Sequence, residues 1–97
     1  MSTALSAEAI ASALQDLPGW AYDPGPPALV LEVKAPTFPE GIEWVRRVAE
    51  YAESVGHHPD IDIRWRTVTF RCSTHSDGAV TDKDVTLAAE INRRAPG

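Results

Sequence analysis

Three histidines carry most of the chemical potential of this chain. His57 and His58 are adjacent and run into Pro59, while His75 follows Ser73-Thr74 further along. Imidazole, with an ordinary pKa of ~6.5, is the side chain that can both give and take a proton near neutral pH. Two imidazoles in different surroundings can divide an acid role and a base role between them. Acids stand within reach: Glu53 lies one helical turn before His57, and Asp84 follows His75 at a distance. Three histidines also raise zinc. Here two of them are neighbours whose side chains diverge, the third is remote, and no His-Glu-x-x-His pair or adjacent cysteine completes a ligand set. The pattern therefore reads as acid–base chemistry with no metal and no cofactor.

Each residue also has a plainer reading. Gly56-His57-His58-Pro59 is good helix-ending chemistry: glycine caps, histidine suits the negative C-terminal dipole, and proline prevents continuation. His75 sits in a polar loop, where an idle histidine is common. Asp84, third after Thr81, can serve a capping box as readily as a site. Glu53 can hold the His57 imidazole or remain a solvated helix carboxylate. Trp20 can shape a pocket or fill a core.

The elements that must hold these residues follow from periodicity. Ser6 is an acceptable N-cap for an alanine-rich helix that ends before Pro18-Gly19. Trp20-Ala21-Tyr22 and the alternating Leu29–Lys34 segment read as strands, separated by an irregular Asp23-Pro24-Gly25-Pro26-Pro27 turn. A long helix is expected after Thr37, running to about Val55 and stopping at Gly56. Two apolar stripes mark it: Phe38, Ile42, Val45, Ala49 and Ala52, then Trp44, Val48, Tyr51 and Val55. One can cover a sheet; the other is left for a neighbouring helix or a second subunit, and the subunit contact is the expectation. Ile61, Ile63 and Trp65 alternate on odd numbers, then Val68, Phe70 and Cys72 on even ones. A two-residue turn at Arg66-Thr67 accounts for the change of phase. Thr81 then opens a short amphipathic C-terminal helix. Helix, two strands, helix, two strands, helix predicts one α+β domain over residues 1–97. It has a four-stranded antiparallel sheet with three helices packed on one face.

Bulk properties narrow the function further. With 97 residues, 43% of them apolar, the chain suits a single small domain that gains from association. A formal charge of −5 argues against nucleic acid and anionic membrane as partners. No run approaches the ~20 apolar residues of a membrane span. Met1 to Leu17 lacks the basic start of a secretory signal. Cys72 is the only cysteine, which excludes an internal disulfide and makes a reducing cytoplasm the expected compartment. Its place in the alternation marks it as a small buried residue rather than a nucleophile.

Together the polar residues form a spaced pattern: Glu53, three residues, His57-His58-Pro59, five residues, Trp65, nine residues, His75, eight residues, Asp84. This closely resembles the signature of the pterin-4a-carbinolamine dehydratases, and the likeness extends more weakly upstream through Pro18-Gly19-Trp20. The stretch Ile63-Arg64-Trp65-Arg66 departs from the Asn-rich segment of many members. The resemblance implies a four-stranded antiparallel sheet backed by helices, a homodimer or homotetramer, and a pterin site lined by His57, His58 and His75. It assigns proton transfer to His58 and His75 and binding and orientation to His57. Glu53, Pro59, Trp65, Asp84 and Trp20 are the further substrate-binding candidates it carries. The implied reaction removes water from a 4a-hydroxytetrahydropterin. The alternative is a degenerate member that serves as a protein-binding or dimerisation module or takes another small ligand.

Overall fold

The computed structural model describes residues 3–95, so the ends of the domain expected over 1–97 lie outside the described residues. The chain runs α1 (Ala7–Leu14), β1 (Trp20–Pro24), β2 (Pro27–Lys34), α2 (Phe38–Val55), β3 (Asp60–Arg64), β4 (Thr67–Cys72) and α3 (Asp82–Arg94). The sheet is antiparallel throughout, in the order β1-β2-β4-β3. Its register sets Leu29, Leu31 and Val33 opposite Cys72, Phe70 and Val68. Ile61 and Ile63 in turn pair with Phe70 and Val68. The apolar half of each alternation therefore shares one face, and Leu29, Val68, Phe70 and Cys72 are wholly buried on it. Ile10, Trp44, Val48, Leu87 and Ile91 of the three helices complete that core. Each fully buried side chain of this size contributes about 1.5–3 kcal/mol. The α+β architecture is the one expected.

Local chemistry starts and stops the helices. Ser6 Oγ accepts from Ala9 N at 3.1 Å, and Thr37 Oγ1 accepts from Glu40 N at 3.2 Å. Gly41 lets α2 approach the sheet. A Cβ there would lie 3.2 Å from Ala35 Cβ and 3.4 Å from Val68 Cγ2.

Three expectations are corrected. The two stripes of α2 are one arc: Gly41, Trp44, Val48 and Ala52 are buried. Phe38, Ile42 and Val55 are exposed at 47%, 40% and 51%. Val48 thus faces the core, not a subunit contact, because α3 packs beside α2 and widens the surface it must cover. The β3–β4 turn is Trp65-Arg66, since Arg64 pairs with Thr67. Any two-residue turn changes the phase in the same way, so parity alone could not place it. Trp65 takes a φ of 55° in that turn instead of extending the strand. Finally, Asp23–Pro27 is mostly strand: Pro24 pairs with Pro27, leaving Gly25-Pro26 as the turn. At the far end of an edge hairpin the missing proline donors interrupt no ladder. Asp23 Oδ1 accepts from Gly25 N at 3.1 Å there.

Candidate active site

The end of α2 delivers the histidine pair. Gly56 adopts a φ of 67°, and His57 N donates back to Ala52 O at 3.1 Å, closing the last turn. That left-handed step sends the two imidazoles apart. The His57 ring reaches α3, where Nε2 lies 2.7 Å from Asp84 Oδ1. The His58 ring folds back over the last helical turn, with Nε2 2.8 Å from Glu53 Oε1. Glu53 therefore partners His58, not His57. Pro59 follows, and β3 begins at Asp60.

His75 arrives on a short loop after β4. Thr74 and Ala79 form an isolated bridge, with Thr74 N donating to Ala79 O at 2.8 Å. Gly78 at a φ of 60° lets the loop turn, and its N donates to His75 O at 3.1 Å. Asp60 Oδ2 stands 3.6 Å from His75 Nε2. Asp60 pairs with Arg71 on the sheet face turned away from the helices, so His75 approaches from that side.

A cavity of about 340 Å³ joins these segments. It is lined by His57, His58, Pro59, Ser73, Thr74, His75 and Lys83 among others. That size falls at the lower end of small-molecule pockets, and the lining is rich in donors and acceptors. The histidines differ in freedom. His57 is 15% exposed, whereas His58 and His75 are 60% and 68% exposed. Their carboxylate partners differ as well. Asp84 is wholly buried, while Glu53 and Asp60 are open to solvent.

Asp84 caps α3, as its position suggested, and also meets His57. Its Oδ2 accepts from Thr81 N at 2.9 Å as the return half of a capping box. The same oxygen accepts from Thr74 Oγ1 at 2.8 Å, while Oδ1 faces His57. Spacing did not expose Thr74, Asp60 or Lys83 as residues lining this cavity. Their signal was adjacency to His75, Pro59 and Asp84 in the chain, which alone is weak.

Trp20 and Trp65 stand apart from this cluster. Trp20 is 7% exposed in the core, where its Nε1 donates to Asn92 Oδ1 at 2.9 Å. Trp65 is 70% exposed at the opposite end of β3 from Asp60. Arg66 stacks over its ring at 4.6 Å and donates to Pro36 O, and Arg64 pairs with Asp62. Both arginines thus belong to the hairpin and leave the cavity unaltered. Cys72 is wholly buried, and burial, with Asp84 and Asp60 nearby, pushes its thiol far up. That is inert cysteine, as expected. Among the described residues, no three His, Cys, Asp or Glu side chains gather as a metal would require.

The chain is thus an antiparallel α+β sandwich with a histidine-lined cleft, in which one imidazole is braced by a buried carboxylate. Comparison with known proteins narrows this to a family. The family model described as pterin 4 alpha carbinolamine dehydratase matches residues 3–94. This chain belongs to that family. A Mycolicibacterium smegmatis protein provisionally named a pterin-4-alpha-carbinolamine dehydratase is 58% identical over 92% of this chain and 93% of its own. A Nocardia farcinica protein of the same provisional name is 55% identical over 94% of each chain. Among solved structures, a transcriptional coactivator/pterin dehydratase from Brucella melitensis superposes with a TM-score of 0.92 at 29% identity. The superposition covers 97% of this chain and 100% of that one. A pterin dehydratase-like RuBisCO assembly factor of the alpha-carboxysome shares the fold, with a TM-score of 0.69 at 18% identity over 81% of this chain and 92% of that one.

Proposed function

We propose that this protein is a 4a-hydroxytetrahydropterin dehydratase working by histidine acid–base catalysis. The observation that carries the reading is the convergence of His57, His58 and His75 on one cavity, with His57 braced by buried Asp84. The reaction breaks the C4a–O bond, and the hydroxyl leaves as water after receiving a proton. The N5 proton is taken up, and its bonding pair becomes the C4a=N5 double bond of the quinonoid dihydropterin. One donor and one acceptor suffice, and no electron enters or leaves.

The geometry suggests a division of labour. His57, with one ring nitrogen committed to Asp84, has a fixed orientation and suits binding of the pterin ring. His58 and His75 are more exposed, hold solvent-facing carboxylates and can exchange protons with water between turnovers. A binding module would have no use for a braced imidazole beside two exposed ones, which favours catalysis over the dimerisation reading. A homodimer or homotetramer remains part of the proposal. Its apolar candidates are now Phe38 and Ile42 rather than Val48.

The test is direct. His58→Ala and His75→Ala should each lower kcat/KM by about 10²-fold or more, the usual scale of a lost general acid or base. Both side chains are exposed, so the variants should fold. Folded variants with undiminished turnover would remove the assigned roles.

A further inference from the structure

We propose that the Thr74 hydroxyl is a positioning group that holds the Asp84 carboxylate, and through it the orientation of the His57 ring. The inference rests on the dehydratase reading for its consequence in turnover, but its geometry stands apart from it. Asp84 is wholly buried and Thr74 is 4% exposed. Thr74 Oγ1 lies 2.8 Å from Asp84 Oδ2 and 2.7 Å from Thr81 Oγ1. Each hydroxyl has a single proton to give. That of Thr74 goes to the carboxylate, so the proton between the two hydroxyls is that of Thr81. Thr81 Oγ1 in turn accepts from Lys83 N at 3.2 Å.

The hydrogen bonds therefore run one way, from Lys83 N through Thr81 and Thr74 to Asp84 Oδ2. Thr81 N adds a second donor to the same oxygen at 2.9 Å. Oδ1 is left to accept from His57 Nε2 at 2.7 Å. His57 thus carries its hydrogen on Nε2, and Nδ1 is the nitrogen with a lone pair for a ligand.

Helix capping does not call for Thr74. The cap of α3 is complete with Thr81 and Asp84, and the Thr74–Ala79 bridge uses backbone atoms only. A valine would fill the same volume in an extended segment. What the hydroxyl adds is a donor that holds the Asp84 carboxyl plane. Because Thr74 also precedes His75, one residue links the braced imidazole to the loop of an exposed one.

The test uses protein with 15N-labelled histidine, whose ring nitrogen shifts report the tautomer directly. Wild type should show His57 protonated at Nε2, and Thr74→Ser should keep that state. Thr74→Val should keep the hydrogen on Nε2, since a carboxylate only accepts, but loosen the Asp84–His57 pair, shifting and broadening the His57 ring resonances and lowering kcat about 10-fold, with a smaller change in KM and an altered pH profile. Thr74→Ala, which adds no methyl beside Asp84, serves if the valine variant fails to fold. Either folded variant with wild-type His57 ring shifts and linewidths overturns the proposal, whatever its activity. A perturbed His57 ring in a protein whose wild type has no dehydratase activity upholds the positioning role and refutes the reaction instead.

Discussion

Replacing Asp84 by asparagine separates what this residue does for the fold from what it does for the site. An amide has one accepting oxygen and one donating NH2. At Asp84 two donors, Thr81 N and Thr74 Oγ1, converge on Oδ2, and one, His57 Nε2, meets Oδ1. If the amide oxygen takes the Oδ2 place, the cap survives and the NH2 faces His57, which must then accept and carry its hydrogen on Nδ1. The opposite flip sets NH2 against a buried backbone N–H, leaving it unsatisfied at a cost of about 1–3 kcal/mol. The first arrangement therefore dominates by roughly 5- to 150-fold.

Exchanging charge-assisted for neutral hydrogen bonds costs about 1 kcal/mol each, so Asp84→Asn should lose about 1–3 kcal/mol and still fold. Asp84→Ala strands the donors of Thr74, Thr81 and His57 and should lose about 3–9 kcal/mol. For a domain of this size, 1 kcal/mol moves Tm by about 4–8 °C. Turnover should fall by about 10²-fold in Asp84→Asn although the domain stays folded. The corresponding exchange in a serine-hydrolase triad costs about 10⁴-fold. Thermal denaturation, histidine 15N shifts and kcat/KM check the three statements. Undiminished turnover in Asp84→Asn, or destabilisation equal to that of Asp84→Ala, would refute the reasoning.

Two further outcomes follow from burial. Val48→Glu places a carboxylate in a site with 0% exposure and should unfold the domain outright, whereas Ile42→Glu, at a position 40% exposed, should leave circular dichroism and Tm nearly unchanged. Sedimentation of the Ile42 variant then reports whether that face holds an oligomer together. The Cys72 thiol, buried and pushed up in pKa, should resist thiol reagents at pH 8 in the native state and react fully in denaturant.

Much of this architecture was legible because its signals are local. Thr37 and Gly56 bound α2 as capping chemistry dictates, and the alternation of Leu29–Val33 and Val68–Cys72 marks the buried face of the sheet. The errors fall where local chemistry leaves a choice. Parity permits a turn at Arg66-Thr67 as well as at Trp65-Arg66, and only pairing in space selects the second. The apolar arc of α2 is wide enough to divide in more than one way, and the docking of α3 decides that Trp44 and Val48 face inward. In the site, the histidines were visible from type and spacing. Their partners were not, because His57 finds Asp84 across 27 positions and His58 takes Glu53 only after Gly56 reverses the chain. The Thr74 hydroxyl was invisible for the same reason: its meaning lies in what surrounds Asp84.

The decisive measurement is the decay of a freshly generated 4a-hydroxytetrahydropterin followed by stopped flow, with and without the purified protein. The account predicts saturable acceleration over the spontaneous rate, with quinonoid dihydropterin and water as products, abolished when His58 and His75 are both replaced by alanine. A decay rate unchanged by micromolar folded protein would contradict it.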